Sequence, residues 1–438
     1  METNKLQIFK FGPAFRKYYW FRVFFFLGLI LSVWTARFPF VFRRIYGEDG
    51  ALFLSDAIKY AFPLDLFEPA AGYSTLIMRI GGRVVSLFPL EDAAVIGAVF
   101  TGLCLSILAS GIFEYNNFTY QNFWGRFTLS LSFIFLPLAS FSAVGNIANL
   151  YIFFMTASAV FLYYHEKTMG ETLYKCSILL IAALSLPLTV FLLPIMLHRI
   201  YLDKKAKGYW DILKSDIAFT IGIILQFLFI LFTSLGQRIP HSPQSPFKVI
   251  YLYFERGIGI STIPKWGFIS GTSGDFHFEN SASLLHSTYT RMLLVLTVVT
   301  LCILIYYRFH SVISRTNRAQ LRFLAFLGLI YSLLVGLFFN PEPRYMIFTS
   351  FITCWVILLL MDSQSNSKLR VTSTFYLITV LALGLTASIH RSQGPEWKLE
   401  LAKAREICKT SKGVQGVEIR TLPIDAVWKI AIPCKKLL

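Results

Sequence analysis

Charge is scarce in this chain, and negative charge is scarcest: charged residues make up 15% of 438, with 24 acidic against 41 basic side chains. So little charge, in a chain that is 55% hydrophobic and 16% aromatic, excludes a water-soluble globular protein along most of the length. Cysteine is sparse too, and none of the six is spaced as a zinc or thiol-redox motif. There is no internal repeat and no charge near the middle of an apolar run, which argues against a transporter or flippase. The first apolar run is too long for a signal peptide and lacks a small-residue cleavage site, so it reads as a retained anchor.

What the chain has is a succession of apolar runs, each long enough with its flanks to cross a hydrocarbon core of roughly 30 Å. Spans are expected near residues 18–38, 93–113, 126–145, 148–164, 213–234, 290–307, 322–339, 344–361 and 372–390. Residues 175–199 are apolar but interrupted at Pro187 and Pro194 and basic at both flanks. A pair of short helices that dips into the membrane and returns is expected there. The fold class is therefore an all-α polytopic membrane protein of about 11 transmembrane or half-membrane helices.

The net charge of +17 lies mainly in short segments between apolar runs, as in Arg199, Lys204, Lys205 and Lys207, and in Arg315 and Arg318. That distribution fits positive-inside topology and not nucleic-acid binding. It places the amino terminus in the cytoplasm and the carboxyl terminus outside. A membrane domain over 1–391 then carries two long outer segments, 37–92 and 236–291, followed by an extracytoplasmic tail, 392–438. In that tail, 397–408 reads as an amphipathic helix and 414–419 and 428–432 as short strands, a small α+β unit capping the outer face. At roughly 45 residues it buries too little core to stand alone. Cys408 and Cys434 both lie in it, on the oxidising side, where a disulfide between them is expected and two unpaired thiols are the alternative.

The first outer segment holds the chemistry. Gly47-Glu48-Asp49-Gly50 puts two carboxylates just past the first span. Residues 51–62 and 74–88 follow with helical apolar spacing, as two helices lying in the membrane interface. Arg79 and Arg83, four apart, share a face that could hold a phosphate or pyrophosphate, or contact ordinary lipid head groups. Asn146 and Asn149 either line a cavity or form a turn with Gly145.

One crossing, an acidic outer turn, two interfacial helices and a return into the membrane resemble the GT-C superfamily of glycosyltransferases. The residues that carry the resemblance are Glu48-Asp49, Leu66-Phe67-Glu68-Pro69-Ala70-Ala71-Gly72-Tyr73 with Arg79 downstream, and Pro343-Arg344-Tyr345 opening a late span. It implies an integral membrane enzyme that takes its sugar from a polyprenyl phosphate. By position it makes Asp49 the base, supported by Glu48 either through like-charge repulsion or through a shared divalent cation, Mg or Mn. An ordinary helix cap is the alternative for Asp49. Arg344 becomes the ligand of the donor phosphate, with a merely snorkelling arginine as its alternative. The 236–291 segment looks like an acceptor-binding loop, with Trp266 and His277 as contacts beside Tyr73.

The activity so implied is transfer of a hexose such as glucose to a bacterial surface glycan such as the O-antigen of lipopolysaccharide, at the outer side of the inner membrane. It implies membrane lipid, the polyprenyl-phosphate sugar and the glycan acceptor as partners, with a flippase and a donor synthase alongside. A polysaccharide polymerase would share these outer features.

Overall fold

The computed structural model describes residues 13–70, 72–115, 123–233, 253–254, 315–338, 343–362, 371, 375, 377–382, 395–411, 414–421 and 428–438. They are mostly helical. The principal helices are α1 (Pro13–Arg37), α2 (Leu76–Ser86), α3 (Ala93–Tyr115), α4 (Phe123–Ile134), α5 (Leu150–Phe161), α6 (Met169–Ala183), α7 (Leu193–Lys207), α8 (Lys214–Thr233), α9 (Arg315–Phe338), α10 (Ile347–Asp362) and α11 (Trp397–Thr410). Strands β1 (Gly416–Arg420) and β2 (Lys429–Pro433) form an antiparallel pair with Glu418 opposite Ala431. Three stretches, Tyr18–Arg37, Leu90–Tyr115 and Lys214–Thr233, are long and apolar enough to cross a membrane. Four further described helices are apolar but shorter. The expected span at 290–307 and, apart from 253–254, the outer segment 236–291 lie outside the described residues.

α1 shows how these helices divide their surfaces. Val23, Phe26, Ile30 and Trp34 recur every three or four residues and are buried, whereas Trp20, Phe21 and Phe24 on the other side are exposed. Large apolar side chains on both faces of one helix fit a helix whose outer face meets lipid. α8 repeats the pattern: Asp216, Phe219, Gly222 and Gln226 face inward, and Ile217, Ile221, Ile224 and Phe232 outward. Gly222 lets α8 approach α6 closely, since a Cβ there would meet Ala183 at 2.8 Å.

Prolines set two breaks. The span expected over 126–145 is interrupted: α4 ends at Ile134, and Pro137 opens a separate short helix, Pro137–Ser142. The residue before a proline is pushed out of the helical region, which accounts for the break after Leu136. In 175–199, α6 ends at Ala183 and Pro187 opens a 3-10 turn, Pro187–Leu192, that leads into α7. The tip of this hairpin meets the start of α2: the Leu76 amide donates to the Leu184 carbonyl at 3.2 Å and the Ile77 amide to Ser185 Oγ at 3.0 Å.

Two faces emerge. On one, the start of α1, the end of α3 and the start of α6 converge, with the Tyr19 and Tyr174 hydroxyls both donating to the Ile107 carbonyl, at 3.3 and 3.0 Å. The end of α7 meets the start of α8 through an ion pair between Arg199 and Asp216. The other face carries the end of α1, the 38–75 segment and the C-terminal unit. There the Trp397 amide donates to the Arg43 carbonyl at 2.9 Å, and its indole donates to the Leu90 carbonyl. Arg405 pairs with Glu91 and Lys398 with Asp92. Within the unit, Cys408 and Cys434 are joined by a disulfide. Trp397, Leu401, Ile419, Ile430 and Ile432 are buried and continuous with the main core, so the unit rests on the membrane domain as its small size requires.

Candidate functional site

The acidic turn sits at the face where α1 ends. Glu48 leads into a wide-wound helical turn, Asp49–Leu54, and the two carboxylates leave it in different directions. Asp49 is 8% exposed and points into the protein. The Ile147 amide donates to its Oδ2 at 3.1 Å and the Ala148 amide to its Oδ1 at 2.6 Å. These amides open the 3-10 turn Ile147–Asn149, which continues into α5, and Asn146 makes no side-chain cap there. Asp49 is thus a helix cap, but for a helix 98 positions away and not for its own. A carboxylate satisfies orphan amides and opposes the positive end of the helix dipole. Gly145 supplies the turn before it, at φ 69°, where a Cβ would strike Val41.

Glu48 faces the other way, toward Arg344. Its Oε1 and Oε2 each lie 3.4 Å from Arg344 Nη1, with the side chains 23% and 18% exposed. Arg344 is carried by the 3-10 turn Pro343–Met346 that opens α10, and its guanidinium lies 5.4 Å from the Tyr345 ring centre. Tyr151, in the first turn of α5, stands 6.5 Å from Tyr345 and within electrostatic reach of Arg344, Tyr73 and Glu48. Residues from three separate stretches therefore converge, Glu48, Tyr151 and Arg344-Tyr345, with Tyr73 in electrostatic reach of Tyr151. Tyr73 is placed by a reverse turn at Gly72, φ 77°, with Ala70 and Tyr73 exchanging both backbone hydrogen bonds.

The two arginines expected to hold a phosphate are engaged otherwise. Arg79 is 1% exposed and pairs with Asp56 at 2.5 Å, its guanidinium 5.2 Å from the Phe53 ring centre. Arg83 donates from Nε to Asp65 at 2.9 Å and from Nη2 to the Tyr60 carbonyl at 2.8 Å. Both bind α2 to the segment before it. The face they share is real, but it turns toward aspartates of their own loop, so neither presents a free fork to a ligand. Trp266 and His277 lie outside the described residues.

A divalent cation does not fit the acidic pair as it stands. Asp49 spends its oxygens on two N–H donors, and Glu48 faces a guanidinium, so neither is arranged for a metal. On the opposite face His165, Asp203 and Asp211 bring ligand atoms within 4.8 Å of one another. Cationic side chains already occupy that neighbourhood: Arg199 lies 3.5 Å from Asp203, and a hydrogen bond from Lys207 holds the Asp211 carboxyl below the usual carboxylate range.

Reasoning from sequence did not single out Asp56, Asp65 or Tyr151. The two aspartates carried a usable signal, since a buried arginine in an interfacial helix needs a nearby anion. Tyr151 was hidden in an apolar run whose only sign was its place in the first helical turn. No protein-family model, characterised protein or solved structure matches the chain.

Proposed function

We propose that the chain is an integral membrane glycosyltransferase that moves a hexose from a polyprenyl phosphate to a surface glycan. What supports this reading is the opposition of Glu48 and Arg344, 296 positions apart in sequence, beside tyrosines at one end of the helical bundle. Glu48, not Asp49, is then the base, because its oxygens meet a displaceable cation and not two structural amides. In the resting protein the pair satisfies itself at a long 3.4 Å. A donor phosphate draws Arg344 to itself and releases the Glu48 carboxylate. Glu48 takes the proton of the acceptor hydroxyl as that oxygen bonds to the anomeric carbon. The bond from that carbon to the phosphate oxygen breaks, its electron pair leaves with the phosphate, and Arg344 balances the added charge. Tyr73, Tyr151 and Tyr345 supply ring faces and hydroxyls next to the reacting sugar.

The rest of the proposal follows from charge. The face carrying the acidic turn and the C-terminal unit is the outer one, the basic ends of α7 and α8 are cytoplasmic, and the full complement is about eleven transmembrane or half-membrane helices in a bacterial inner membrane. The acceptor is a surface glycan such as O-antigen, with Trp266 and His277 as its further contacts. The test compares surface-glycan composition by mass spectrometry in cells carrying wild-type chain, Glu48→Gln or no chain. Loss of the base lowers transfer by about 10² to 10⁴ at unchanged protein level. A glycan that is the same with and without the chain would move the assignment to a transporter of lipid-linked sugar.

A further inference from the structure

The turn that carries Glu48 is held from two sides. From the membrane domain, Asp49 grips the amides of Ile147 and Ala148. From the other side the C-terminal unit lies on Gly50. A Cβ built on Gly50 would come 2.7 Å from Cγ2 of Thr421 and 3.1 Å from Cγ2 of Ile45, so the turn and the unit meet at the distance only a glycine permits. Thr421 is 2% exposed, follows β1 directly, and its amide donates to the Trp428 carbonyl at 3.1 Å. β2 also packs on the Asp49–Leu54 turn. β2 ends at Pro433, beside Cys434, which is bonded to Cys408 at the end of α11, so the disulfide ties the two strands to the helix that docks on Arg43 and Leu90.

We infer that the disulfide-closed C-terminal unit is a working part of the Glu48 site, with Thr421 and Gly50 as the positioning contact through which it fixes the carboxylate opposite Arg344. The inference rests on the reading of Glu48 as the base, and it adds a condition: the site is competent only when the unit is closed and docked. Glu48 lies two residues from Gly50 within one helical turn, so a displacement of Gly50 rotates the carboxylate relative to Arg344. A shift of that kind is costly, because proton transfer needs the base within hydrogen-bond reach of the acceptor.

The test uses the full-length chain in native membranes and reads position and activity separately. With Glu48→Cys as reporter, its labelling rate by a membrane-impermeant maleimide is compared across backgrounds. Gly50→Ala, and separately Cys408→Ser with Cys434→Ser, are expected to raise that rate about fivefold by loosening the turn. Adding Thr421→Ala to Gly50→Ala removes the methyl that the new Cβ would strike and is expected to return the rate to within about twofold of the reporter alone. With Glu48 native, the same Gly50→Ala change is expected to cut glycan modification by on the order of tenfold to a hundredfold, with recovery in the Gly50→Ala, Thr421→Ala double variant. Unchanged labelling in both loosened backgrounds overturns the inference. So does a double variant that labels and transfers no better or worse than Gly50→Ala alone. If labelling follows the expected pattern while Glu48→Gln leaves the glycan untouched, the positioning contact stands and the transferase reading fails.

Discussion

Asp49 and Glu48 are adjacent and chemically alike, yet one is committed to helix amides and the other to a partly exposed ion pair, where the proposed reading puts the reaction. The difference predicts opposite phenotypes. Asp49→Asn keeps one acceptor oxygen and loses the other, leaving one buried amide unpaired at a cost of about 1–3 kcal/mol. Glu48→Gln disturbs only a partly exposed ion pair, worth about 0–1 kcal/mol. Thermal unfolding of the purified variants should therefore show a clear drop for Asp49→Asn and little for Glu48→Gln, while transfer fails with Glu48→Gln. Equal melting of the two would contradict the division of labour. That an acidic pair stands out was legible in the sequence, because carboxylates are rare beside an apolar span. Which of the two is free was not, since that depends on Ile147 and Ala148, whose arrival under the turn is a tertiary event.

At the scale of elements, the first outer segment is organised by two arginine–aspartate pairs across α2. Arg79 is almost wholly buried, so removing it or Asp56 alone strands the partner, at a cost on the order of 3 kcal/mol. Stability measurements on Arg79→Met, Asp56→Ala and the double variant should show the double destabilised by less than the sum, with a coupling of about 0.5–3 kcal/mol. Strict additivity would mean that the pair is not the tie described here. The helical spacing of Arg79 and Arg83 could be read from sequence, but not the direction in which their shared face turns. Proline breaks were more legible, as with the hairpin at Pro187, because a missing amide and a fixed φ act locally. The break at Pro137 obeys the same rule, and a run read only for its apolar length conceals it.

For the whole molecule, the docking of Trp397 on Arg43 and Leu90 has a topological content. The tail and the end of α1 share a face, so on the proposed topology the chain crosses the bilayer an even number of times between them. Lys205→Cys, exposed at the end of α7, and Ala402→Cys, exposed on α11, should therefore react with an impermeant thiol reagent from opposite sides in oriented vesicles. Labelling of both from one side would rule out this arrangement. Basic residues gathered between the apolar runs were legible in the sequence, and on the proposed topology they mark the cytoplasmic face. The seat of the tail on the acidic turn was not legible, because nothing in the local sequence of Thr421 or Gly50 names the other.

Arg405 and Glu91 are 314 positions apart, and Trp397 and Leu90 are 307 apart. The contacts that seat the tail on Leu90 and Glu91 can therefore form only once the chain has been made 307 positions or more beyond them. The acidic turn is made early and waits, through the synthesis of every described helix after α1, for its cover. A chain halted before residue 421 would have its helices built and its acidic turn held from one side alone, by Asp49. Synthesis order thus works as a safeguard: on the proposed reading, the Glu48 site is finished only in molecules whose tail has been made and its disulfide closed.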